Sequence, residues 1–181
     1  MRKLPDSRKV SSSVITERGQ LHGETRTESL TDPRINYGEV DPSAIQSMLP
    51  LQSYVDHSSI PRKILELVRM RASQINGCAY CLDMHSKDAR AQGEVEQRIY
   101  LLSAWRESPF YTDRERAALE WTEAVTLVAK THVPDKIYER VRKYFAEKEL
   151  IELTMAIVAI NGWNRLSISM RRPAGTYQPH Q

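Results

Sequence analysis

The strongest constraint on the fold is a series of helix start and stop signals that runs through the chain. Asp41-Pro42 combines an N-cap with a first-turn proline, and Asn76-Gly77 is typical of a helix end. Thr112, followed three residues later by Glu115, is a capping box that introduces another helix. No segment alternates convincingly between apolar and polar residues, and no hairpin turn is recognisable. The sequence therefore predicts an all-α fold.

Approximate helix bounds follow from the same signals. A short helix opens at Pro42, and Pro50 interrupts or restarts it. Ser59 and Pro61 start the next helix, in which apolar residues recur at helical spacing up to Ile75. Further helices are expected over about residues 78–92, 95–105, 117–130, 134–146 and 149–170.

Composition divides the chain into three parts. Residues 1–37 are rich in Ser, Thr, Arg and Glu without apolar periodicity, which predicts a flexible or partner-draped extension. The 181-residue chain is 40% hydrophobic, enough for one helical domain with a core, which we place at residues 38–172. Residues 173–181 are interpreted as a C-terminal tail.

Charge and hydropathy argue against two classes of partner. The net charge is +3, and seven basic against five acidic side chains in the first 37 residues contribute +2 of it, so the remainder shows no nucleic-acid footprint. The longest apolar run, Met155 to Ile160, is far shorter than the roughly 20 residues of a membrane span. The N-terminus lacks the apolar core of a signal peptide. We therefore expect a soluble, cytoplasmic protein that binds neither nucleic acid nor membranes.

Two stretches of the sequence resemble each other. Residues 64–78, from Ile-Leu-Glu-Leu to Ile-Asn-Gly-Cys, are matched by residues 150–163, from Leu-Ile-Glu-Leu to Ile-Asn-Gly-Trp, with one residue of slippage. This predicts a duplicated helix pair, and the alternative is chance similarity of two helices that end at Asn-Gly. The second copy holds Trp163, Leu166 and Met170 where the first has its thiols and histidine, which suits packing or a subunit interface.

The chain has two cysteines, Cys78 and Cys81, and they form a C-x-x-C pair. Gly77 suits a helix stop, so Cys78 would open the next helix, where backbone N–H groups and the helix dipole stabilise a thiolate. His85 lies one turn beyond Cys81 on the same helix face and can take its proton directly or through water. In a cytoplasmic protein, such a pair is more often catalytic or metal-binding than a structural disulfide.

The spacing of four residues carries a resemblance to a known family. Glu66, Cys78, Cys81 and His85 form a spaced motif. Eleven residues separate the glutamate from the first cysteine, two residues separate the cysteines, and three residues separate the second cysteine from the histidine. Residues 66–85 resemble the core of the AhpD-like alkylhydroperoxidases, within the wider carboxymuconolactone decarboxylase superfamily, and the similarity extends over about residues 35–171. The decarboxylase branch is disfavoured, because that reaction does not use a thiol pair. Tyr80 is a departure, since some members carry a histidine there.

The resemblance implies both an assembly and a chemistry. The fold would be an all-helical domain in a homo-oligomer, a trimer or hexamer, with the site near a subunit boundary. The activity would be reduction of hydroperoxides through a dithiol cycle of Cys78 and Cys81, driven by a dithiol reductant and needing no cofactor. Cys81 would be the peroxidatic thiol, and Cys78, nearer the helix start and more accessible, would resolve it and meet the reductant. The helix-start argument taken alone favours Cys78 as the thiol of lower pKa.

Glu66 is assigned by the resemblance to a proton relay with His85, in which the carboxylate orients the imidazole and stabilises its protonated form. From the residues alone, Arg62 and Arg69 would make Glu66 an ordinary surface ion pair. Both interpretations stay open at this point.

Other interpretations use the same residues differently. The thiol pair could hold a structural metal, with His85 as third ligand and Glu66 or His57 as fourth, or could sense redox state in a non-catalytic oligomer. Tyr80 could donate a hydrogen bond to a bound peroxide or simply pack. Three tryptophans could wall an apolar cavity or belong to the core: Trp105, Trp121 and Trp163. Four histidines outside the motif show no partner pattern and are interpreted as ordinary surface or loop residues: His22, His57, His132 and His180.

Overall fold

A computed structural model describes the protein over residues 32–179. Its α-helices are Tyr37–Val40 (α1), Pro42–Asp56 (α2), Arg62–Asn76 (α3), Ala79–Ala91 (α4), Glu96–Tyr100 (α5), Asp113–Thr126 (α6), Val128–Thr131 (α7), Asp135–Val141 (α8) and Glu147–Ser169 (α9). A 3₁₀-helix, Leu101–Ala104, follows α5. Within residues 32–179 no strand is present, so the predicted all-α fold is confirmed.

Helix α2 shows how tertiary packing overrides a local break signal. The Asp41 carboxylate caps its start by accepting hydrogen bonds from the backbone N–H groups of Ser43 and Ala44. The helix then continues through Pro50, so the predicted interruption there is wrong. A proline removes one backbone hydrogen bond, but α2 packs along α9, and this contact holds the helix together across the missing bond.

Two predicted helices are shorter in the structure. The segment expected at 95–105 is helical as α5 and then tightens into the 3₁₀-helix, after which Trp105 enters the core. The segment expected at 134–146 ends as a regular helix at Val141, and the turn that follows buries Phe145. In both places the backbone departs from the expected helix where an aromatic side chain is buried.

Helix α3 is the centre of the domain and packs against α4, α6 and α9. Its apolar residues recur at helical spacing and are buried, including Leu67 and Val68. The main hydrophobic cluster lies between α3, α6 and α9. A smaller cluster contains Ala72, Ile160 and both cysteines. The start of α4 is therefore held by core packing on two neighbouring helices.

The two copies of the internal sequence echo have different structures. The first copy breaks at Gly77, whose left-handed φ of 71° ends α3. The second copy runs without a break through Asn161 and Gly162 inside α9, which corrects the predicted duplicated helix pair. A Cβ atom at Gly162 would lie 2.8 Å from Cε of Met48, so this glycine allows α2 to approach α9 closely.

Residues 1–31 and 180–181 lie outside the described part, and with them most of the predicted N-terminal extension, His22 and His180. At the start of the described part, Arg34 donates from its backbone N–H to the carbonyl of Met170 and from its guanidinium to the carbonyl of Ser169, both at 3.0 Å. Among the helices of residues 32–179, none is long and apolar enough to cross a membrane.

Candidate active site

The thiol pair sits where α3 ends and α4 begins. Because Gly77 turns the chain out of α3, Cys78 becomes the N-cap of α4, and its Sγ accepts a hydrogen bond from the backbone N–H of Cys81 at 3.4 Å. Both cysteines are free thiols, and their sulfur atoms lie 2.6 Å apart with the Cys78 thiol donating. Each cysteine is only 1% exposed, so the prediction that Cys78 is the more accessible thiol is wrong.

The environment of the pair separates the two thiols in acidity. The pKa of Cys81 is lowered to about 6, chiefly by the hydrogen bond from Cys78 against the opposing effect of burial, with smaller contributions from Asn164, Ser167 and the charge of His85. The hydrogen bond to Cys81 and burial raise the pKa of Cys78. Cys81 is therefore the thiolate of the pair near neutral pH, although Cys78 occupies the helix start.

His85 and Glu66 are brought together across the α3–α4 contact. Glu66 is 4% exposed, and its Oε2 lies 2.9 Å from Nδ1 of His85. Its Oε1 accepts a hydrogen bond from Arg69 at 2.7 Å, and Arg69 also binds Asp56 at 2.7 Å. Glu66 therefore makes both predicted contacts, an ion pair and a contact with the His85 imidazole. Its cationic partner is Arg69 rather than Arg62.

The charge state of Glu66 follows from these contacts. Burial opposes its ionisation, but the hydrogen bonds and charges of His85 and Arg69 outweigh burial and lower the pKa of Glu66. An ionised, buried carboxylate with one oxygen held by Arg69 presents its other oxygen to the imidazole in a fixed orientation. This arrangement can hold the imidazole ring in place and stabilise a proton on it.

A second carboxylate flanks the imidazole. Oδ2 of Asp88 lies 4.0 Å from Nδ1 of His85, and Oδ1 of Asp88 accepts a hydrogen bond from the Tyr177 hydroxyl at 2.7 Å. Among the described residues, Glu66, His85 and Asp88 form a group whose ligand atoms lie within 4.8 Å of one another, a geometry that a metal ion could use. Neither cysteine belongs to this group, and Nδ1 of His57 instead contacts the carbonyl of Ser53 at 2.7 Å.

A cavity of about 730 Å³ opens onto one side of the pair, and we call it the Cys81 cavity. The functional side chains Cys81, Glu66 and His85 line it together with the apolar side chains of Met84, Ile160 and Trp163. Its volume and mixed lining are typical of small-molecule sites. Of the three tryptophans singled out in the sequence, Trp163 walls this cavity, whereas Trp105 and Trp121 belong to hydrophobic core clusters.

Tyr80 packs between the thiols and the C-terminal segment. It is buried, and the Arg172 guanidinium lies over its ring, 4.0 Å from the ring centre. Tyr80 also lines the Cys81 cavity, so the packing interpretation and contact with a ligand are both compatible with its position.

Helix α9 supplies polar groups that the sequence interpretation did not assign to the site. Nδ2 of Asn164 donates to the Ser73 hydroxyl at 3.0 Å, and its Oδ1 accepts from Asn76 at 2.8 Å. Asn164 and Ser167 are both buried, and both lower the pKa of Cys81. Their signal in the sequence is polar residues three apart on a helix face that is otherwise apolar. The second copy of the echo was expected to serve as packing or as a subunit interface, and the helix that carries it also contributes to the electrostatics of the thiol pair.

Comparison with known proteins is consistent across sequence and structure. A model of the Carboxymuconolactone decarboxylase family matches residues 45–124. The uncharacterized protein YdfG of Bacillus subtilis is 46% identical over 143 residues, which are 79% of this chain and 97% of YdfG. A protein of unknown function from Agrobacterium tumefaciens, for which the name antioxidant defence protein AhpD has been suggested, has a solved structure with a TM-score of 0.78 at 44% identity, covering 81% of this chain and 100% of its own. The solved structure of the debrominase Bmp8 has a TM-score of 0.69 at 22% identity over 76% of this chain and 74% of its own, which shows a shared fold alone.

Proposed function

The chain belongs to the carboxymuconolactone decarboxylase family as an AhpD-like member, and on this premise we propose that it is a thiol peroxidase that reduces hydroperoxides through a Cys78/Cys81 dithiol cycle. The observation that carries the proposal is the juxtaposition, on one cavity, of a thiol of lowered pKa with an imidazole held by a buried carboxylate. These are the groups that peroxide reduction by a thiol needs.

In the first step, the Cys81 thiolate attacks the terminal oxygen of a hydroperoxide in the Cys81 cavity. The O–O bond breaks, Cys81 becomes a sulfenic acid, and the alkoxide leaves as an alcohol after taking a proton. His85 receives the Cys81 proton beforehand and returns it to the alkoxide, while Glu66 stabilises the imidazolium in between.

In the second step, Cys78 resolves the sulfenic acid. Its sulfur attacks the Cys81 sulfur, the S–O bond breaks, and the leaving hydroxide takes the Cys78 proton to give water and a disulfide. The 2.6 Å separation of the two sulfur atoms means that little movement is required. A dithiol reductant then returns the pair to its reduced state, so that two electrons pass from reductant to hydroperoxide in each turnover.

The test is peroxide consumption by the purified protein with a dithiol present, combined with mass analysis of the cysteines. One equivalent of peroxide should convert both thiols into an intramolecular Cys78–Cys81 disulfide with loss of two hydrogens. Two free thiols after peroxide treatment, or intermolecular links alone, would overturn the dithiol cycle.

A second candidate, a non-catalytic redox-sensing or metal-binding role, is favoured by one observation. Glu66, His85 and Asp88 offer ligand atoms within 4.8 Å of one another. The metal content of the purified protein separates the two proposals. A stoichiometric metal that suppresses peroxide consumption supports the second candidate, and turnover by metal-free protein supports the first. Assembly into trimers or hexamers stays a prediction of the family resemblance.

A further inference from the structure

The two thiols of the pair face different cavities. Cys81 lines the Cys81 cavity, and Cys78 does not. Cys78 instead lines a second cavity of about 430 Å³, which Cys81 does not line. Tyr80, Ser167 and Arg172 line both, so the two cavities are neighbours that share part of their walls. The two thiols of the buried pair therefore line different cavities.

The second cavity, which we call the Cys78 groove, has a rim of small and exposed residues. Gly77 and Ala79 border Cys78 along the chain, and both are exposed. The opposite rim is formed by the end of α9 and the residues after it, including the exposed Ile168 and Ala174. Small side chains on this rim leave open space beside Cys78, since a Cβ atom at Gly77 would meet no atom within 4 Å.

The charge of the Cys78 groove is positive. Arg171 and Arg172 line it, and no acidic side chain does. The Arg172 guanidinium also stacks on Tyr80 and donates to the Tyr37 hydroxyl at 2.9 Å, which fixes one of these charges beside the wall. By contrast, the lining of the Cys81 cavity is balanced in charge, since the carboxylates of Asp56, Glu66 and Asp88 are matched by the guanidinium groups of Arg62, Arg69 and Arg172. An anionic molecule is therefore attracted to the Cys78 side of the pair.

We propose that the two half-reactions use separate cavities, with hydroperoxide reaching Cys81 through the Cys81 cavity and a negatively charged dithiol reaching Cys78 through the Cys78 groove. This inference rests on the proposed dithiol cycle and deepens it by naming the class of reductant and its route. It differs from a single shared entrance, in which substrate and reductant compete for one cavity.

The reductive step follows from which sulfur the reductant meets. A thiolate of the reductant attacks the Cys78 sulfur, the Cys78–Cys81 bond breaks, and Cys81 leaves as a thiolate while His85 takes up the accompanying proton. The second thiolate of the reductant attacks the mixed disulfide and releases Cys78, which takes up the other proton. The reductant becomes a disulfide and the protein gains two electrons. Asn164 and Ser167 both lower the pKa of Cys81, so they stabilise the leaving thiolate.

Helix α4 offers a matched pair of variants, because one exposed alanine stands at each opening. Ala79 lines the Cys78 groove, and Ala91, at the other end of α4, lines the Cys81 cavity. Ala79→Phe should slow reduction of the oxidised protein by meso-2,3-dimercaptosuccinate on the order of tenfold and leave oxidation by cumene hydroperoxide unchanged. Ala91→Phe should have the reverse effect. Rapid-quench alkylation with mass analysis measures both half-reactions separately.

Two outcomes would overturn the two-entrance proposal. One is that either variant slows both half-reactions equally. The other is that the rate of reduction is unchanged in both Ala79→Phe and Ala174→Phe, which obstruct the groove from its two rims. The two proposals fail distinguishably. If hydroperoxide does not oxidise the parent protein, the proposed function fails, while a disulfide generated with diamide still reports which side the reductant uses.

The charge of the reductant is tested at Arg171. Arg171→Glu should slow reduction by meso-2,3-dimercaptosuccinate on the order of tenfold and should affect reduction by uncharged dithiothreitol much less. Lys136→Glu, an exposed site on α8 away from both cavities, is the control for net charge. The groove does not select an anionic reductant if Arg171→Glu slows reduction by both dithiols equally. The same conclusion follows if Arg171→Glu and Lys136→Glu slow reduction by the anionic dithiol equally.

Discussion

Helices α3 and α9 carry the two copies of the sequence echo, and they reach the same Asn-Gly dipeptide with opposite results. At Gly77 the chain leaves α3 and starts α4 with a cysteine as its cap, whereas at Gly162 it stays inside α9. The break places the two thiols at a helix start, and the continuous helix places Trp163, Asn164 and Ser167 beside them. Similar local sequence thus provides the reactive groups in one copy and their environment in the other.

Glu66 and Glu152 extend this comparison, since they occupy equivalent places in the two copies. Both are buried in the structure. Glu66 contacts His85 and Arg69, while Glu152 accepts a hydrogen bond from the backbone N–H of Ser59 at 3.0 Å. One carboxylate is therefore placed at the reactive site, and the other fastens the segment between α2 and α3.

The largest effect on peroxide reduction is expected at Cys81, next to the first copy of the echo. Cys81→Ser should abolish peroxide reduction, because it removes the thiol of lowered pKa that faces the Cys81 cavity. Cys78→Ser should still consume one equivalent of peroxide and trap Cys81 as a sulfenic acid, detected by mass analysis after dimedone labelling. The reverse pattern of trapping would exchange the two roles.

A large effect on the rate of oxidation is also expected for variants of His85 and Glu66. The equivalent glutamate of the second copy, Glu152, provides the control. His85→Ala and Glu66→Gln should each slow the oxidative half-reaction on the order of 10² or more, and the double variant should be little slower than the slower single variant, because the two side chains act as a unit. Glu152→Gln should lower the free energy of unfolding and leave this rate unchanged. Stopped-flow oxidation and urea unfolding measure the two properties.

Two results would contradict the relay. If Glu66→Gln reacts like the parent while folding normally, Glu66 serves only as the ion-pair partner of Arg69. If Glu152→Gln slows oxidation as much as Glu66→Gln, the effect is structural rather than specific to the imidazole contact.

A moderate effect is expected where α9 touches the thiolate. Alkylation of Cys81 by iodoacetamide should increase with pH through about 6 and level off above it, because the reactive form is the thiolate. Ser167→Ala removes a hydroxyl that lowers this pKa, and a polar contact to a charged group contributes on the order of 1.5 kcal/mol, or about one pKa unit. At pH 6 the thiolate fraction then falls from about one half to about one tenth, so alkylation should slow by up to about fivefold. An unchanged pH profile in Ser167→Ala would mean that α9 does not tune the thiol.

The smallest effects are expected at the two glycines themselves. Gly77→Ala should lower the free energy of unfolding by about 1 kcal/mol, because an alanine is strained at a φ of 71°. Gly162→Ala should change it by less than about 0.5 kcal/mol, since better helix propensity offsets displacement of the flexible end of Met48. Thermal unfolding of both variants measures the difference, and a larger loss at Gly162 than at Gly77 would reverse our account of the two copies.

The sequence by itself determined the helical class, most helix starts, and the positions of the candidate thiols and histidine along them. Capping residues, a left-handed glycine and helical spacing act within about four residues, so Asp41, Gly77, Thr112 and the place of His85 one turn after Cys81 could be read directly. The contact between Glu66 and His85 came from the family resemblance and not from local spacing.

Only the tertiary structure decided the environment of the thiols. Asn76 and Asn164, which are hydrogen-bonded beside the pair, are separated by 88 residues, and no local rule connects them. The passage of α2 through Pro50, the continuity of α9 through Gly162 and the separation of Cys78 from Cys81 into two cavities all follow from how helices pack on one another. Packing energy between helices exceeds the small free energies of local propensity, so it decides wherever the two disagree.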